Sequence, residues 1–463
     1  MSDRSSRWWD AVKAVESESG FEVLLEGTRG RRRGRYQVWS TNDSGVVTQN
    51  SGWKTGEQML ALGYEDTFDR DFNGDGLLNT NNGVSGRGVT VAVKDNDVRP
   101  HPDLTFSPNG NTGSSNTLGA TGTPDHGTHV AGIIASNGTN SPGAGIRSER
   151  GLAYNSLLFD VLNNTWASSD LTNMEADSVD VINQSQGVDR NGIYTNNGSR
   201  LLDQLAAGRA GTKSMAITLS AGNGGTRAQS GDQWGFFAPT KQVKNAFVVA
   251  NLEGGNANLL ATSSSRGPFH DGRIAPTISA SGGGAFDTNL DVISTGFHDC
   301  NPSVGDNCTG AYRYEGMSGT SMASPMVAGT MALLMEAYES DYLEQYGQTI
   351  DTFTPIPALM RAIIIATSDD IVGPQGTSAE LFDATGTTAN QAQAATIGPD
   401  YLTGFGRLNV GESVNLMQQS REDSNGNNQP TGFRTGSIGD KEIHEFSFTI
   451  SPDMASNQTD PLQ

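Results

Sequence analysis

The sequence predicts an α/β domain between residues 86 and 417, with a parallel β-sheet covered by helices on both faces. One observation is a set of short, apolar, β-branched runs, which are typical of buried parallel strands. These runs are VTVAV (89–93), VDVI (179–182), MAITL (215–219) and AFVVA (246–250). The other is the helical pattern between them, such as SRLLDQLAAGRA (199–210), since this alternation favours helices on both faces. Right-handed crossovers would bring all the strand carboxyl ends to one edge, where α/β proteins form their sites.

The residues before this domain divide into an N-terminal extension, 1–20, and a small β-rich module, 21–85. FEVLLEG (21–27) and RYQVWST (35–41) alternate apolar and polar residues, which predicts two strands. The module, which includes Trp39 and Trp53, resembles the tryptophan-rich repeat found in exported cyanobacterial proteins. That resemblance implies little chemistry, because the function of the repeat is poorly defined.

The end of the module contains a candidate calcium loop. Asp71, Asn73 and Asp75 place oxygen ligands at alternate positions before a glycine, as in the first half of an EF-hand loop. Asn82 stands where the bidentate glutamate of such a loop belongs, which argues against a complete EF-hand. A structural Ca²⁺ site and a simple turn rich in Asp and Asn both remain open.

After the α/β domain, residues 418–463 are predicted to form a linker and the start of a C-terminal β domain. QQSREDSNGNNQPTG (418–432) has the composition of a polar linker. EIHEFSFTI (442–450) alternates like a strand, and the chain stops soon after it. We expect a β-sandwich that is truncated here.

The charge balance limits the classes of partner. Lys and Arg number 30 against 51 Asp and Glu, for a formal net charge of -21, which argues against nucleic acid or an anionic membrane as the main partner. No apolar run is long enough to span a membrane. An extracellular or secreted location is expected, although the N-terminus shows no apolar stretch of a secretory signal. The two cysteines, Cys300 and Cys308, form either a disulfide across a small loop or two unpaired thiols.

Three segments carry residues suited to nucleophilic catalysis. VAVKDNDVRPHPDL is a strand that ends at Asp95, and DHGTHVAGIIAS places His126 just before an apolar helical pattern. GMSGTSMASPMVAG places Ser321 where a glycine-rich turn enters a long apolar helix. A serine hydroxyl needs an adjacent imidazole to take its proton, and the imidazole needs a carboxylate to fix its tautomer. Asp97 is the alternative carboxylate, but Asp95 is favoured because it directly follows the apolar strand.

The local sequence also predicts where Ser321 lies in its helix. Gly319 permits a tight turn, and Pro325 is expected in the first helical turn, where proline is tolerated. Ser321 is therefore predicted at a helix N-terminus, where backbone N–H groups favour developing negative charge.

These segments resemble the subtilisin-like serine proteases. The chain order Asp, His, Ser matches that family, and GTSMASP and HGTHVAG are specific motifs. The resemblance implies that Ser321 is the nucleophile, His126 the general base and Asp95 the orienting acid. Asn223, in LSAGNGG, corresponds to the side-chain donor of the oxyanion hole. His129 is expected to pack or hydrogen-bond locally.

The resemblance further implies a substrate cleft between two segments. Ser185, Gln186 and Gly187 match one side of it, and Ala221, Gly222 and Asn223 match the other. An extended peptide would pair its backbone with these strand edges. The sequence departs from the family pattern at three positions: Asp97 replaces a glycine, Lys94 replaces an apolar residue, and Gln186 replaces an apolar residue of the cleft.

The predicted function is a serine endopeptidase that works through an acyl-enzyme, with no cofactor in the chemistry and protein or peptide substrates. We expect a monomer. At P1, the substrate residue that supplies the attacked carbonyl, the sequence leaves a basic or an apolar preference open, since Asp189 and Asp232 lie near the two cleft segments. Two other functions are a catalytically silent binding or scaffold protein and a serine esterase. Against the esterase, GTSMASP lacks the Gly-x-Ser-x-Gly elbow.

Overall fold

The structure, a computed structural model, describes the following residues: 9–17, 20–27, 35–42, 46–54, 59, 84–96, 98–110, 126–140, 149–162, 168–187, 198–225, 241–284, 291–297, 312–338, 357–374, 381–382, 388–389, 394–418, 420–422 and 428–430. The chain divides into two compact units, residues 1–83 and 84–463. The finer domain bounds given above stay a prediction.

The first unit contains an antiparallel sheet of four strands in sequential order. Its strands are β1 Trp9–Ser17, β2 Gly20–Gly27, β3 Tyr36–Thr41 and β4 Val47–Asn50. The two predicted strands are confirmed as β2 and β3, and Leu24, Val38 and Met59 form a small buried core. The sequence did not predict β1, which lies in the expected extension. A register shift between Ala11 and Lys13 interrupts its alternation, and a bulge of this kind hides the period of two on which strand prediction rests.

The second unit is built on a seven-stranded sheet in the order β10-β9-β8-β7-β5-β6, with β11 also pairing with β9. Its pairings are parallel except that between β9 and β10. The strands are β5 Thr90–Asp95, β6 Leu157–Leu162, β7 Val181–Gln184, β8 Ala216–Ser220, β9 Phe247–Glu253, β10 Asn256–Leu260 and β11 Ile278–Ser281. The four predicted strands correspond to β5, β7, β8 and β9.

Six helices of this unit lie among the described residues. They are α1 His126–Ala135, α2 Ser168–Ala176, α3 Ser199–Ala206, α4 Thr320–Ala337, α5 Pro357–Ala366 and α6 Val410–Gln418. A hairpin pairs β12 Val292–Phe297 with β13 Tyr312–Met317. Short pairs join β14 Gly373–Pro374 to β17 Ala394–Ala395, β15 Leu381–Phe382 to β16 Thr388–Ala389, and β18 Ser420–Glu422 to β19 Asn428–Pro430.

Helices cover both faces of the central sheet, as predicted. Ile182 and Ile217 pack in one buried cluster with Leu202 and Leu205 of α3. The next residue of β7, Asn183, accepts a hydrogen bond of 2.7 Å from the Ser324 hydroxyl of α4. Because successive strand side chains point to opposite faces, α3 and α4 lie on opposite sides of the sheet.

Several predictions fall on residues that the structure does not describe. These are the calcium ligands Asp71, Asn73 and Asp75, the cysteines Cys300 and Cys308, the acids Asp97, Asp189 and Asp232, and the strand 442–450. The segment expected to be a linker contains β18 and β19. Among the described residues, no helix combines the length and apolarity needed to cross a membrane.

Candidate active site

An aspartate and a histidine meet at the carboxyl end of the parallel sheet. Strand β5 ends at Asp95, whose side chain is fully buried, and α1 begins at His126. The Nδ1 atom of His126 lies 2.7 Å from Oδ1 of Asp95, and the Asn96 N–H donates to the same oxygen at 2.8 Å. A carboxylate can only accept here, so Nδ1 carries the proton and Nε2 is the ring nitrogen that exchanges protons with a reacting group.

The surroundings of His126 favour its protonated form. Burial lowers the pKa of His126, but the hydrogen bond and the charge of Asp95 together outweigh burial and raise it above 6.5. The charge of Lys241 acts in the opposite direction and lowers the pKa of His126. The imidazole is thus prepared to hold a proton taken from a nucleophile.

Ser321 lies in the first turn of α4, as predicted. Gly319 precedes the helix with φ 137°, a conformation that favours glycine. A Cβ at Gly319 would lie 3.1 Å from Nδ2 of Asn223. The positive φ favours glycine in the turn before Ser321, and a Cβ at this position would also crowd the Asn223 side chain.

The expected place of Pro325 in the first turn is wrong, because α4 begins at Thr320 and Pro325 lies in its second turn. Proline has no N–H, so the helical bond to the carbonyl four residues earlier is missing. That carbonyl belongs to Ser321, and the Ser185 hydroxyl donates to it at 2.9 Å instead. A residue of the predicted cleft thereby compensates for the proline.

Ser321 is 9% exposed, and its hydroxyl donates to the carbonyl of Ser185 at 3.0 Å. Among the residues that the structure describes, no hydrogen bond joins Ser321 to His126. The Ser321 hydroxyl would have to leave the Ser185 carbonyl before it could donate to His126.

Thr320 fixes the orientation of Asn223. Its N–H and its hydroxyl donate to Oδ1 of Asn223 at 3.1 and 3.0 Å, and its hydroxyl accepts from the Gly222 N–H at 3.0 Å. A backbone N–H can only donate, so the facing atom of Asn223 must be the oxygen and Nδ2 is left to donate elsewhere. The sequence analysis missed Thr320. The only signal in the sequence is that a hydroxyl residue directly precedes Ser321.

The comparison with known families agrees with this geometry. Residues 86–406 match the model of the peptidase S8 family, described as the subtilase family. The chain belongs to the subtilase family.

Two curated proteins are similar to part of this chain. Proprotein convertase subtilisin/kexin type 6 of Rattus norvegicus is 28% identical over 286 residues, which are 55% of this chain and 26% of that protein. The thermostable alkaline protease of Halalkalibacterium halodurans is 29% identical over 283 residues, which are 60% of this chain and 66% of that protein. The match to the first relative thus spans about a quarter of its length.

A solved structure is also similar to this chain. Fervidolysin from Fervidobacterium pennivorans, a keratinolytic enzyme related to subtilisin, has a TM-score of 0.43 at 21% identity. The match covers 72% of this chain and 43% of that one.

Two of the three residues that depart from the subtilase pattern, Lys94 and Gln186, lie among the described residues. Lys94 is buried, and burial lowers its pKa while the charges of Asp170 and Asp160 raise it. As the neighbour of Asp95 in a strand, Lys94 points to the opposite face and does not enter the site. Gln186 is half-buried, and its Nε2 donates to Oδ1 of Asn96, which links the cleft segment to the turn after Asp95.

The other predicted cleft residues lie at the ends of neighbouring strands. Gln184 at the end of β7 pairs with Leu219 in β8, so the segments that follow the two strands leave the sheet side by side. Ser185 and Ala221 are buried, Gly222 is half-buried, and Gly187 and Asn223 are exposed.

His129 has a structural environment within the subtilase domain. It is fully buried in α1, and its Nε2 donates to the carbonyls of Val292 and Glu315 at 2.9 and 3.0 Å. The expected packing of His129 is confirmed by its burial. Its hydrogen-bond partners are distant in sequence, so the ring joins α1 to the β12–β13 hairpin. Burial is the largest cause that lowers the pKa of His129 to about 4.

Proposed function

We propose that this chain is a serine endopeptidase in which Ser321 attacks the peptide carbonyl, His126 takes the serine proton and Asp95 orients His126. The hydrogen bond of 2.7 Å between Asp95 and His126 carries the proposal. It pairs a fully buried carboxylate with an imidazole at the strand end, and it leaves Nε2 to act as the base. The subtilase domain supplies the general class of this chemistry.

In the proposed reaction, Oγ of Ser321 forms a bond to the carbonyl carbon while Nε2 of His126 accepts its proton. The tetrahedral oxyanion accepts hydrogen bonds from Nδ2 of Asn223 and from the Ser321 N–H at the start of α4. His126 then gives its proton to the departing amine, and the C–N bond breaks. Water repeats the sequence on the acyl-enzyme and releases the acid.

Thr320 is proposed as a positioning residue for the oxyanion hole. Both of its donors hold Oδ1 of Asn223, which leaves the amide nitrogen to donate to another group. Donors fixed before the reaction stabilise a developing charge without reorganisation. Asn223 is exposed and would lose this orientation without Thr320.

The substrate is proposed to bind as an extended chain between the segments 185–187 and 221–223. Both follow the carboxyl ends of paired parallel strands, where the pairing between β7 and β8 ends and an extended peptide can lie between the two segments. Calcium binding, secretion and a monomeric state stay predictions.

Casein hydrolysis by the purified chain and two variants tests the proposal. Ser321→Ala should abolish hydrolysis above background. Ser368→Ala removes another buried serine hydroxyl, one that donates to the carbonyls of Ile365 and Phe405, and it should retain activity. Equal activity of Ser321→Ala and the unaltered chain would overturn the assignment.

A further inference from the structure

A fully buried asparagine joins the central sheet to the helix that carries Ser321. Asn183 lies in β7. Its Oδ1 accepts hydrogen bonds from the Thr218 hydroxyl of β8 at 2.9 Å and from the Ser324 hydroxyl of α4 at 2.7 Å. Its Nδ2 donates to the Ser185 hydroxyl at 3.0 Å. One amide therefore contacts the neighbouring strand, the cleft segment and α4.

The helical hydrogen bond that Pro325 lacks determines the direction of the hydrogen bonds in this group. The Ser321 carbonyl can only accept, and the Ser185 hydroxyl donates to it at 2.9 Å. A hydroxyl has one proton, so the atom of Asn183 that faces Ser185 must be a donor, which is Nδ2. Oδ1 then faces the two other hydroxyls, and both must donate to it.

Asn183 holds α4 at two points. One contact is direct, through the Ser324 hydroxyl, and the other runs through the Ser185 hydroxyl to the Ser321 carbonyl. Residues three positions apart lie on the same face of a helix. Two attachments on one face determine both the rotation of the first turn of α4 and its position against the sheet.

The same sheet holds the histidine of the proposed triad. Asn183 pairs with Val93 of β5, two residues before Asp95, and Asp95 contacts His126. The strand pairing therefore relates His126 to Asn183, and the two attachments relate Asn183 to Ser321. An error of about 1 Å in the placement of a reacting group can cost about 10²-fold in rate.

The hydrogen bonds of this group are complete. Among the described residues, the buried polar atoms that lack a partner include none from Asn183, Ser185, Thr218 or Ser324. An unpaired buried amide costs free energy, whereas a fully satisfied polar network makes the packing around it rigid and specific. The group therefore favours one placement of α4 on the sheet.

We propose that Asn183 is a positioning residue for the nucleophile, which holds the first turn of α4 so that the hydroxyl and the N–H of Ser321 face the substrate carbonyl. The inference rests on the proposed serine endopeptidase function. Asn183 acts through Ser185 and Ser324 and does not touch the reacting atoms. Its loss should slow the attack by Ser321 and leave substrate binding little changed, because the amide is fully buried.

Two measurements on Asn183→Ala separate attack from binding. The rate constant for labelling by diisopropyl fluorophosphate reports the reactivity of Ser321, and KM for casein reports the binding of substrate. We expect the labelling rate constant to fall about 10–100-fold, with KM little changed. The rate constant is taken from the molecules that become labelled, so inactive molecules do not alter it. Asn183→Ser replaces Asn183→Ala if that variant fails to fold.

Two further variants assign the effect. Ser185→Ala removes the link to the Ser321 carbonyl, so its combination with Asn183→Ala should label about as slowly as Asn183→Ala alone. Thr218→Val is the matched control, because the Thr218 hydroxyl donates to the same Oδ1 from β8 but is not part of the link to α4. This control should lower the free energy of unfolding, measured in urea, and label at the rate of the unaltered chain.

The results distinguish this proposal from the protease proposal. Labelling of Asn183→Ala at the rate of the unaltered chain overturns the positioning role, and so does equal slowing by Thr218→Val, since the amide would then act only through stability. Losses that multiply in the double variant also overturn it, because Asn183 would then act by another route. If the unaltered chain takes no label at Ser321 and does not cleave casein, both proposals are overturned.

Discussion

Replacing His129 with glutamine should reduce the acid sensitivity of the peptidase domain. In the folded protein, burial is the main cause that lowers the pKa of His129 to about 4, from an ordinary value of 6.5. Nε2 already donates to two carbonyls. A second proton would go to Nδ1, which is buried and has no hydrogen-bond partner among the described residues.

The sign of the effect follows from proton binding. Between pH 6.5 and about 4 the unfolded chain binds a proton at residue 129 and the folded chain does not, so the free energy of unfolding falls as the pH falls through this window. The shift of about 2.5 pKa units corresponds to about 3 kcal/mol at 1.36 kcal/mol per unit. His129→Gln keeps a side-chain N–H donor and removes the titration.

Urea unfolding from pH 4 to pH 7.5, in steps of about half a unit, measures the effect. Across this pH window the free energy of unfolding should fall by about 3 kcal/mol more in the unaltered chain than in His129→Gln. The matched control is His270→Gln, because His270 is exposed, and it should follow the unaltered chain. If the free energy of unfolding falls in parallel with pH for the unaltered chain and for His129→Gln, the assigned pKa of His129 and its cause are refuted.

Three further perturbations have definite outcomes. Asp95→Asn should lower the pKa of His126 below 6.5, because the burial of the ring would then be unopposed by Asp95. In this variant kcat should also fall about 10⁴-fold, because Asn would hold the imidazole in the wrong tautomer. The pH profile of kcat/KM with the casein assay measures both effects. Asn223→Ala should lower kcat about 10²–10³-fold, a range measured on a member of this family, with KM little changed. Glu336→Gln should lower the free energy of unfolding by about 1.5–3 kcal/mol, since this buried carboxylate accepts from three backbone N–H groups of residues 85–87; urea unfolding at pH 7 measures it.

The sequence predicts the strands and the triad residues for separate physical reasons. Buried parallel strands need continuous apolar, β-branched runs, so β5, β7, β8 and β9 were visible. Asp95 follows such a run after one intervening residue, His126 begins a helix, and Ser321 lies in the first turn of another. All three are therefore expected at the carboxyl edge of the sheet. In the structure Asp95 and His126 lie in contact, and the triad roles stay a proposal.

The features that sequence could not predict depend on contacts between distant segments. Asn183 is a single polar residue after an apolar run, and the sequence does not show that its amide contacts Thr218 and Ser324. The Ser185 hydroxyl replaces the helical hydrogen bond that Pro325 lacks, and it can do so only because α4 packs against the sheet. The same holds for His129, whose two carbonyl partners lie more than 160 positions away along the chain.

Covalent labelling of the active serine tests the central claim most directly. Diisopropyl fluorophosphate should add one phosphoryl group to the folded chain, peptide mapping by mass spectrometry should place it on Ser321, and the rate should rise with pH as His126 loses its proton. Ser321→Ala should take up no label, while Ser368→Ala should label as the unaltered chain does. A label on another residue, or equal labelling of Ser321→Ala, would contradict the account.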